Sequence, residues 1–180
     1  GSDGLLLVNA ERDIEGPSDL RDRVFCYTDP SSTTGYALPR AWLREHGVDP
    51  DTDFAATHRS GNHMQLIRDV GLGRCDAGGT YSGAWQTAAE AGVPVASVRQ
   101  LAVTGRTPHD ALSEGPAADE ATSGALRHAL LSFHPQEHAG QAVVGTVERI
   151  SGFADLGDDH YDKLRQALEV SDDTDEDSDS

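Results

Sequence analysis

Apolar and polar positions alternate along this chain in short blocks, in a pattern that makes strands and helices take turns. Residues 5–9 are an apolar run that gives way to polar Glu11, Arg12 and Asp13, and read as a strand. Pro17, Ser18 and Asp19 then open a short turn or helix. Residues 24–27 are mostly apolar and β-favouring, as expected of a parallel strand buried on both faces. After a polar loop comes a helical pattern over residues 35–46, with Leu38, Ala41, Trp42 and Leu43 on its apolar side and Gly47 placed as a C-cap. A further short strand at 57–60, a helix carrying Met64, Leu66, Ile67 and Val70, a strand over 74–79, a loop from Thr80 to Gly83 and a helix over 84–91 complete the pattern. In open α/β sheets, ligands sit beyond the carboxyl ends of the strands, so a parallel arrangement brings three strand-to-helix loops to one face.

The rest of the chain is less regular. Val93, Val95, Val98, Leu101 and Val103 suggest a strand interrupted by a turn, and residues 123–133 an amphipathic helix with Leu126, Leu130 and Leu131 on one side. Over 141–150 the spacing of Val143, Val144, Val147 and Ile150 fits a helix while their β-branching favours a strand. Residues 158–170 read as a helix, and the final ten, SDDTDEDSDS, contain no apolar residue and are expected to be disordered.

The first strand-to-helix loop carries the candidate chemistry. Ser31, Ser32, Thr33 and Thr34 are four consecutive hydroxyl residues at a helix entrance, where backbone N–H groups lack intrahelical partners and the dipole adds positive charge. That combination suits a small anion. A single hydroxyl also suffices for an ordinary N-cap, so the residues alone leave both readings open. The loop has no lysine and no P-loop glycine spacing, which argues against nucleotide binding by that route. His63 falls at the second helix entrance and Tyr81 and Ser82 at the third. Enzyme patterns are weak: GTYSG is not the G-x-S-x-G elbow, and His134 and His138 straddle Pro135 outside any H-E-x-x-H pattern. No catalytic residue, metal site or cofactor is expected.

Composition narrows the partners. The 180 residues suffice for one domain or two small lobes, and their net charge of −17 argues against nucleic acid and anionic membrane surfaces. Lys163 is the sole lysine, and the chain stays acidic even without its tail, a composition that resembles proteins of salt-loving organisms. Cys26 and Cys75 each fall in a predicted strand and are expected as thiols paired in a core rather than as a disulfide framework. No apolar stretch reaches the roughly 20 residues of a membrane span.

Five motifs taken together are more specific than any one of them. DPSSTTGY, HGVDPDTDF, SGNH, CDAGGTYSGA and TPHDAL occur in that order, and with the chain from about Leu6 to Val170 they resemble the phosphate, phosphite and phosphonate substrate-binding proteins of ABC importers. The resemblance implies an α/β fold, the type II periplasmic-binding-protein lobe: a mainly parallel sheet flanked by helices, with hinge strands and C-terminal helices. Residues 1–17 would be a hinge strand and lead-in, 18–105 the ligand-binding lobe, 106–170 a second crossing segment with C-terminal helices, and 171–180 an acidic tail. It places anion contacts on Ser32, Thr33 and Thr34, with Ser31 in a more variable position and His63 near the ligand, while Tyr36 reads either as a wall of the site or as a first-turn packing residue.

The resemblance also implies that Asp110 accepts the acidic O–H of a hydrogen phosphate, phosphite or phosphonate, which sulfate does not offer. Gly83 stands where some relatives place an acidic contact for amino-substituted phosphonates, which favours a smaller ligand. The expected partners are a small phosphorus oxyanion and the permease subunits of an importer, outside the cytoplasm. Family members are longer, so a first lobe and a signal or membrane anchor are expected upstream of Gly1. The rival readings are the sensing domain of a receptor, a hydrolase of small phosphate esters whose rate depends on His63, and a binding protein for another oxyanion such as sulfonate.

Overall fold

The computed structural model describes residues 1–115, 117–134, 152–162 and 164–166. The chain divides into two compact units, one holding Gly1–His109 and rejoined at Tyr161, the other Asp110–His160.

The first unit is built on a five-stranded sheet, in which β1 is Ser2–Asn9, β2 Val24–Tyr27, β3 Ala56–Arg59, β4 Ala77–Tyr81 and β5 Val98–Thr107. Their order is β3-β2-β4-β1-β5. β2 runs parallel to both β3 and β4, and β1 lies antiparallel between β4 and β5, so β1 alone opposes the common direction. The helices of this unit are α1, Leu38–Glu45, α2, His63–Gly71, and α3, Ser82–Glu90. The mainly parallel α/β sheet read from the sequence is the one observed.

Why β1 and β2 are apolar along their buried lengths follows from both faces of the sheet being covered there, whereas β3 at the edge is exposed throughout. Successive side chains of a strand point to opposite sides. Leu5 and Leu7 pack with Leu66, Ile67, Val70, Ala84 and Ala88 of α2 and α3, while Leu6 and Val8 pack with Phe25, Tyr27, Leu43 and Val48 on the side of α1. Leu6, Leu7, Val8, Phe25, Leu43, Leu66, Ile67 and Val70 are wholly excluded from solvent.

Two expectations are corrected within this unit. Cys26 and Cys75 form a disulfide, with their Cα atoms 5.9 Å apart. Only Cys26 is in a strand: Cys75 precedes β4, which begins at Ala77 instead of residue 74. The reason is the pairing of β2 with β4, in which Cys26 faces Gly78, together with Asp76, whose N–H donates to the Val24 carbonyl and whose carboxylate accepts the Val24 N–H, each at 2.9 Å. Those bonds turn the chain before the strand and bring Cys75 back over Cys26. The second correction concerns the loop expected from Thr80 to Gly83: β4 runs through Tyr81 straight into α3, with Tyr81 itself as the N-cap residue.

β5 follows a 3-10 turn at Val95–Ser97 and extends four residues beyond the expected Val103. In the second unit, α4 spans Glu120–Leu131 and is capped by Asp119, whose carboxylate accepts the Thr122 N–H at 2.8 Å. The helix forms where its spacing predicts, but it buries none of its residues: Leu126 and Leu131 are 50% and 41% exposed. The helix expected over 158–170 begins as a 3-10 turn, Asp158–Tyr161. Its end, the uncertain segment 141–150, His138 and the acidic tail lie outside the described residues.

Candidate functional site

β2 ends at Tyr27, and the buried Thr28 leads into a turn organised by Asp29. The Asp29 carboxylate accepts the Ser31 hydroxyl at 2.7 Å and the Ser31 N–H at 3.0 Å, and the Ser32 N–H donates to the Asp29 carbonyl at 2.9 Å. An aspartate that folds back on the backbone two residues ahead makes a local turn of its own. The Ser31 hydroxyl and then its N–H hold the Asp29 carboxyl below the usual carboxylate range. The Ser31 proton is therefore directed to Asp29.

Ser32 is the N-cap: its backbone is extended (φ −80°, ψ 119°) and its hydroxyl oxygen accepts the Gly35 N–H at 3.0 Å. Because Ser32 accepts in that bond, its own proton is left to donate. The helix then opens on a five-residue π turn, Thr33–Ala37, two residues earlier than the pattern suggested, and α1 follows directly. In this wide turn the Ser32 carbonyl accepts both the Tyr36 and Ala37 N–H groups, at 3.0 and 3.1 Å. The leading N–H groups, those of Thr33 and Thr34, have no intrahelical acceptor. Among the described residues the hydroxyls of Thr33 and Thr34 have no hydrogen-bond partner either.

Two glycines let this turn sit close on the sheet. A Cβ on Gly35 would lie 1.9 Å from the Thr28 hydroxyl, and one on Gly79 of β4 would lie 2.6 Å from Pro39 and 3.3 Å from the Thr34 carbonyl. Behind the turn, the half-buried Tyr36 ring meets Tyr27 edge-on with centroids 5.0 Å apart, and the Arg40 guanidinium lies 4.9 Å from its centroid. Arg40 is 4% exposed and donates to one oxygen of Asp51 at 2.6 Å, while Arg44 donates to the other at 2.8 Å. Burial works against the charge on Arg40, but the Asp51 bond together with the electrostatic pull of Tyr27, Tyr36 and Asp51 outweighs it and raises the pKa; burial likewise works against the charge on Asp51, and its two arginines outweigh that and lower its pKa. Burial pushes the Tyr27 phenol up, with Arg40 pulling the other way. Tyr36 is thus held between the Tyr27 ring and the Arg40 guanidinium.

The second helix entrance is tied to the first. The Ser60 and Gly61 N–H groups donate to the carbonyls of Tyr27 and Thr28 at 2.8 and 2.9 Å, which anchors the loop before α2 to the end of β2. Asn62 caps α2 by accepting the Gln65 N–H at 2.9 Å, leaving the ring of His63, the first helical residue, free of that duty. His63 Nδ1 lies 3.0 Å from the Thr80 hydroxyl, and the Tyr81 ring stands at 88° to the imidazole with centroids 4.8 Å apart. Burial lowers the pKa of His63 below its ordinary value and so favours the uncharged ring. Ser82 is exposed at the first position of α3.

Ser32, Thr33, Thr34, His63, Tyr81 and Ser82 thus all stand where the parallel strands end and helices begin. Their polar groups are neutral donors, a set suited to an oxyanion and lacking an activated nucleophile. Asp110 is exposed and opens the second unit. Among the described residues no cluster of His, Cys, Asp and Glu could hold a metal ion. Three contributors escaped the sequence reading: Thr28, whose hydroxyl is buried without a partner; Asp29, which orients Ser31; and Thr80, which meets His63. An Asp two residues before a Ser was the one usable signal, since Asx turns have that spacing.

Known proteins share the fold and identify the family. Residues 1–161 match the family described as ABC transporter, phosphonate, periplasmic substrate-binding protein. Over 79 residues the chain is 34% identical to the phosphate-import protein PhnD of Mycolicibacterium smegmatis, a match covering 40% of this chain and 25% of that protein. Among solved structures, a PhnD protein from Prochlorococcus marinus in complex with methylphosphonate superposes with a TM-score of 0.72 at 17% identity, covering 95% of this chain and 67% of that one. A binding-protein component of an ABC phosphonate transporter from Pseudomonas aeruginosa gives a TM-score of 0.75 at 21% identity, covering 97% of this chain and 59% of that one. These structural likenesses establish a shared fold, and the match over residues 1–161 establishes the relationship: the chain belongs to the family of phosphonate periplasmic substrate-binding proteins of ABC transporters.

Proposed function

We propose that this chain is the solute-binding component of an ABC importer and binds a small phosphorus oxyanion, namely phosphate, phosphite or an alkylphosphonate, without chemical turnover. The observation that carries the reading is the turn from Ser32 to Thr34, where hydroxyls and leading N–H groups gather at the end of β2. An anion removed from water needs most of its oxygens to accept hydrogen bonds, since an uncompensated buried charge is costly. The names of the relatives, a phosphate importer and a methylphosphonate complex, point the same way.

Within that reading, Ser32, Thr33 and Thr34 make the first contacts and His63 donates from the second entrance. Tyr36 is a wall, and Tyr81 and Ser82 line the third entrance. Asp110 accepts the acidic O–H of the ligand and thereby rejects sulfate, while Gly83 favours a compact ligand. Closure around the ligand, a hinge motion common to binding proteins, signals occupancy to the permease subunits.

The Cys26–Cys75 disulfide suits an oxidising compartment outside the cytoplasm. An upstream anchor holds the protein at the membrane on this reading; no helix of the described residues is long and apolar enough to cross one. The acidic surface fits work in concentrated salt. Calorimetric titration in high salt with phosphate, phosphite, methylphosphonate and sulfate, beside Thr33→Ala and Asp110→Asn, tests the assignment. The expected result is binding of a phosphorus anion, no heat with sulfate from the parent, loss of heat in Thr33→Ala, and gained sulfate binding in Asp110→Asn. Binding of sulfate as tightly as phosphate by the parent protein would overturn it.

A further inference from the structure

Thr80 sits in β4 with no solvent exposure, and the one hydrogen bond of its hydroxyl is to His63 Nδ1 at 3.0 Å. A threonine hydroxyl has a single proton and two lone pairs, and a neutral imidazole has one nitrogen that donates and one that accepts. If Nδ1 carried the ring proton, it would donate to Thr80, and the Thr80 proton would be left buried with no acceptor among the described residues. The opposite arrangement satisfies both groups: Thr80 donates, Nδ1 accepts, and the ring proton is on Nε2. A buried donor without an acceptor is more costly than a hydroxyl oxygen with an unused lone pair.

We propose that Thr80 is a positioning residue that fixes His63 in the tautomer protonated at Nε2, so that the ring serves its site as an uncharged hydrogen-bond donor. The perpendicular Tyr81 ring at 4.8 Å limits rotation of the imidazole, and the Asn62 cap removes the competing use of His63 at the helix end. Burial of the ring supports the same state by disfavouring the imidazolium. Nε2 has no partner among the described residues. Its use as a donor rests on the anion-binding reading above; the tautomer does not.

The experiment is nitrogen NMR of the ligand-free protein with labelled histidine, at a pH where His63 is neutral, on the parent, Thr80→Val and Thr80→Ser. The expected spectrum has an unprotonated Nδ1 and a protonated Nε2 for His63. Thr80→Val should move both nitrogens toward the averaged values of free imidazole, and Thr80→Ser, which keeps the hydroxyl, should restore the parent pattern. A protonated Nδ1 in the parent overturns the proposal, as does a Thr80→Val spectrum matching the parent. Should Thr80→Val fail to fold, Thr80→Ala takes its place as the variant without the hydroxyl, and a protonated Nδ1 in the parent overturns the proposal in either case. Titration of the same proteins with inorganic phosphate and methylphosphonate adds the functional readout: Thr80→Val should weaken affinity about fivefold to tenfold, with Thr80→Ser near the parent. If the parent binds neither anion, the anion-binding reading fails while the spectra continue to test the tautomer.

Discussion

Gly35 is the residue at which the shape of the hydroxyl turn can be tested most directly. Replacing it with alanine puts a methyl 1.9 Å from the Thr28 hydroxyl oxygen, 2.8 Å from the Thr28 methyl and 2.9 Å from the Ser32 hydroxyl oxygen. Thr28 is 2% exposed and cannot swing into solvent, and Ser32 cannot move without losing its 3.0 Å bond to the Gly35 N–H. The π turn must therefore lift from the end of β2. Overpacking of this kind costs about 1–3 kcal/mol, and loss of the Ser32 cap adds about 1 kcal/mol. Thr28→Ala alone should cost little, roughly 1 kcal/mol or less, because it removes one methyl and a hydroxyl that had no partner. Joined to Gly35→Ala it deletes the two shortest clashes, so the pair should be more stable than the sum of the singles by at least about 1 kcal/mol. Urea denaturation of the four proteins measures this cycle. Additivity within about 0.5 kcal/mol, or a Gly35→Ala protein as stable as the parent, would show that the turn is not held against Thr28 as described.

Further outcomes follow from the same contacts. The bridge between Cys26 and Cys75 closes a loop of 49 residues in sequence separation, so Cys26→Ala with Cys75→Ala should lower unfolding free energy by up to about 4 kcal/mol, read by thermal or urea denaturation under oxidising conditions. Asp51→Ala leaves the buried Arg40 without its carboxylate and should cost about 1–3 kcal/mol while loosening Tyr36, which denaturation and Tyr36 fluorescence would report. Asp29 has a depressed pKa in the folded state, so its tie to Ser31 is in place above the ordinary carboxylate value and is lost as pH falls through the folded one; Asp29→Asn should flatten that acid limb in a stability profile. His63 is also depressed, so its contribution is complete above about 6.5, the ordinary histidine value, and declines as pH falls toward its folded pKa, a decline that His63→Gln should remove from the same profile.

Much of the sheet was legible because apolar runs such as Leu5 to Val8 are what strands covered on both faces require. The order of the strands was not legible, and the cysteines show why. Cys26 and Cys75 each looked like a small apolar core residue; what makes them a disulfide is that β2 neighbours β4 and Asp76 turns the chain just before it. Pairing is a long-range fact, and periodicity is local. The site divides in the same way. The hydroxyl run could be read directly, whereas Thr28 and Thr80 acquire their roles only from Gly35 and His63, residues brought to them by the fold. Helix α4 marks the opposite limit: its spacing correctly announces a helix, yet Leu126 and Leu131 stay exposed, because periodicity predicts a stripe and not what covers it.

On the proposed reading, a chain with a net charge of −17 is an unexpected host for an anion, and the geometry of the turn offers a resolution. The nearest buried cation, Arg40, is already matched by Asp51 and serves to hold Tyr36. What the strand ends present are hydroxyls, N–H groups and an uncharged imidazole, together with the exposed Arg59 at the end of β3, whose charge reaches Asp29 of the turn. Dipoles of this kind act over one contact distance, whereas the field of exposed carboxylates is screened over roughly 8 Å at physiological salt and about 3 Å at 1 M. The acidic surface and the hydroxyl turn therefore answer to different parts of the sequence and can vary independently. On the proposed reading, recognition depends on how many oxygens of the ligand find a donor and whether one of them still carries a proton, and the total charge of the protein enters only weakly.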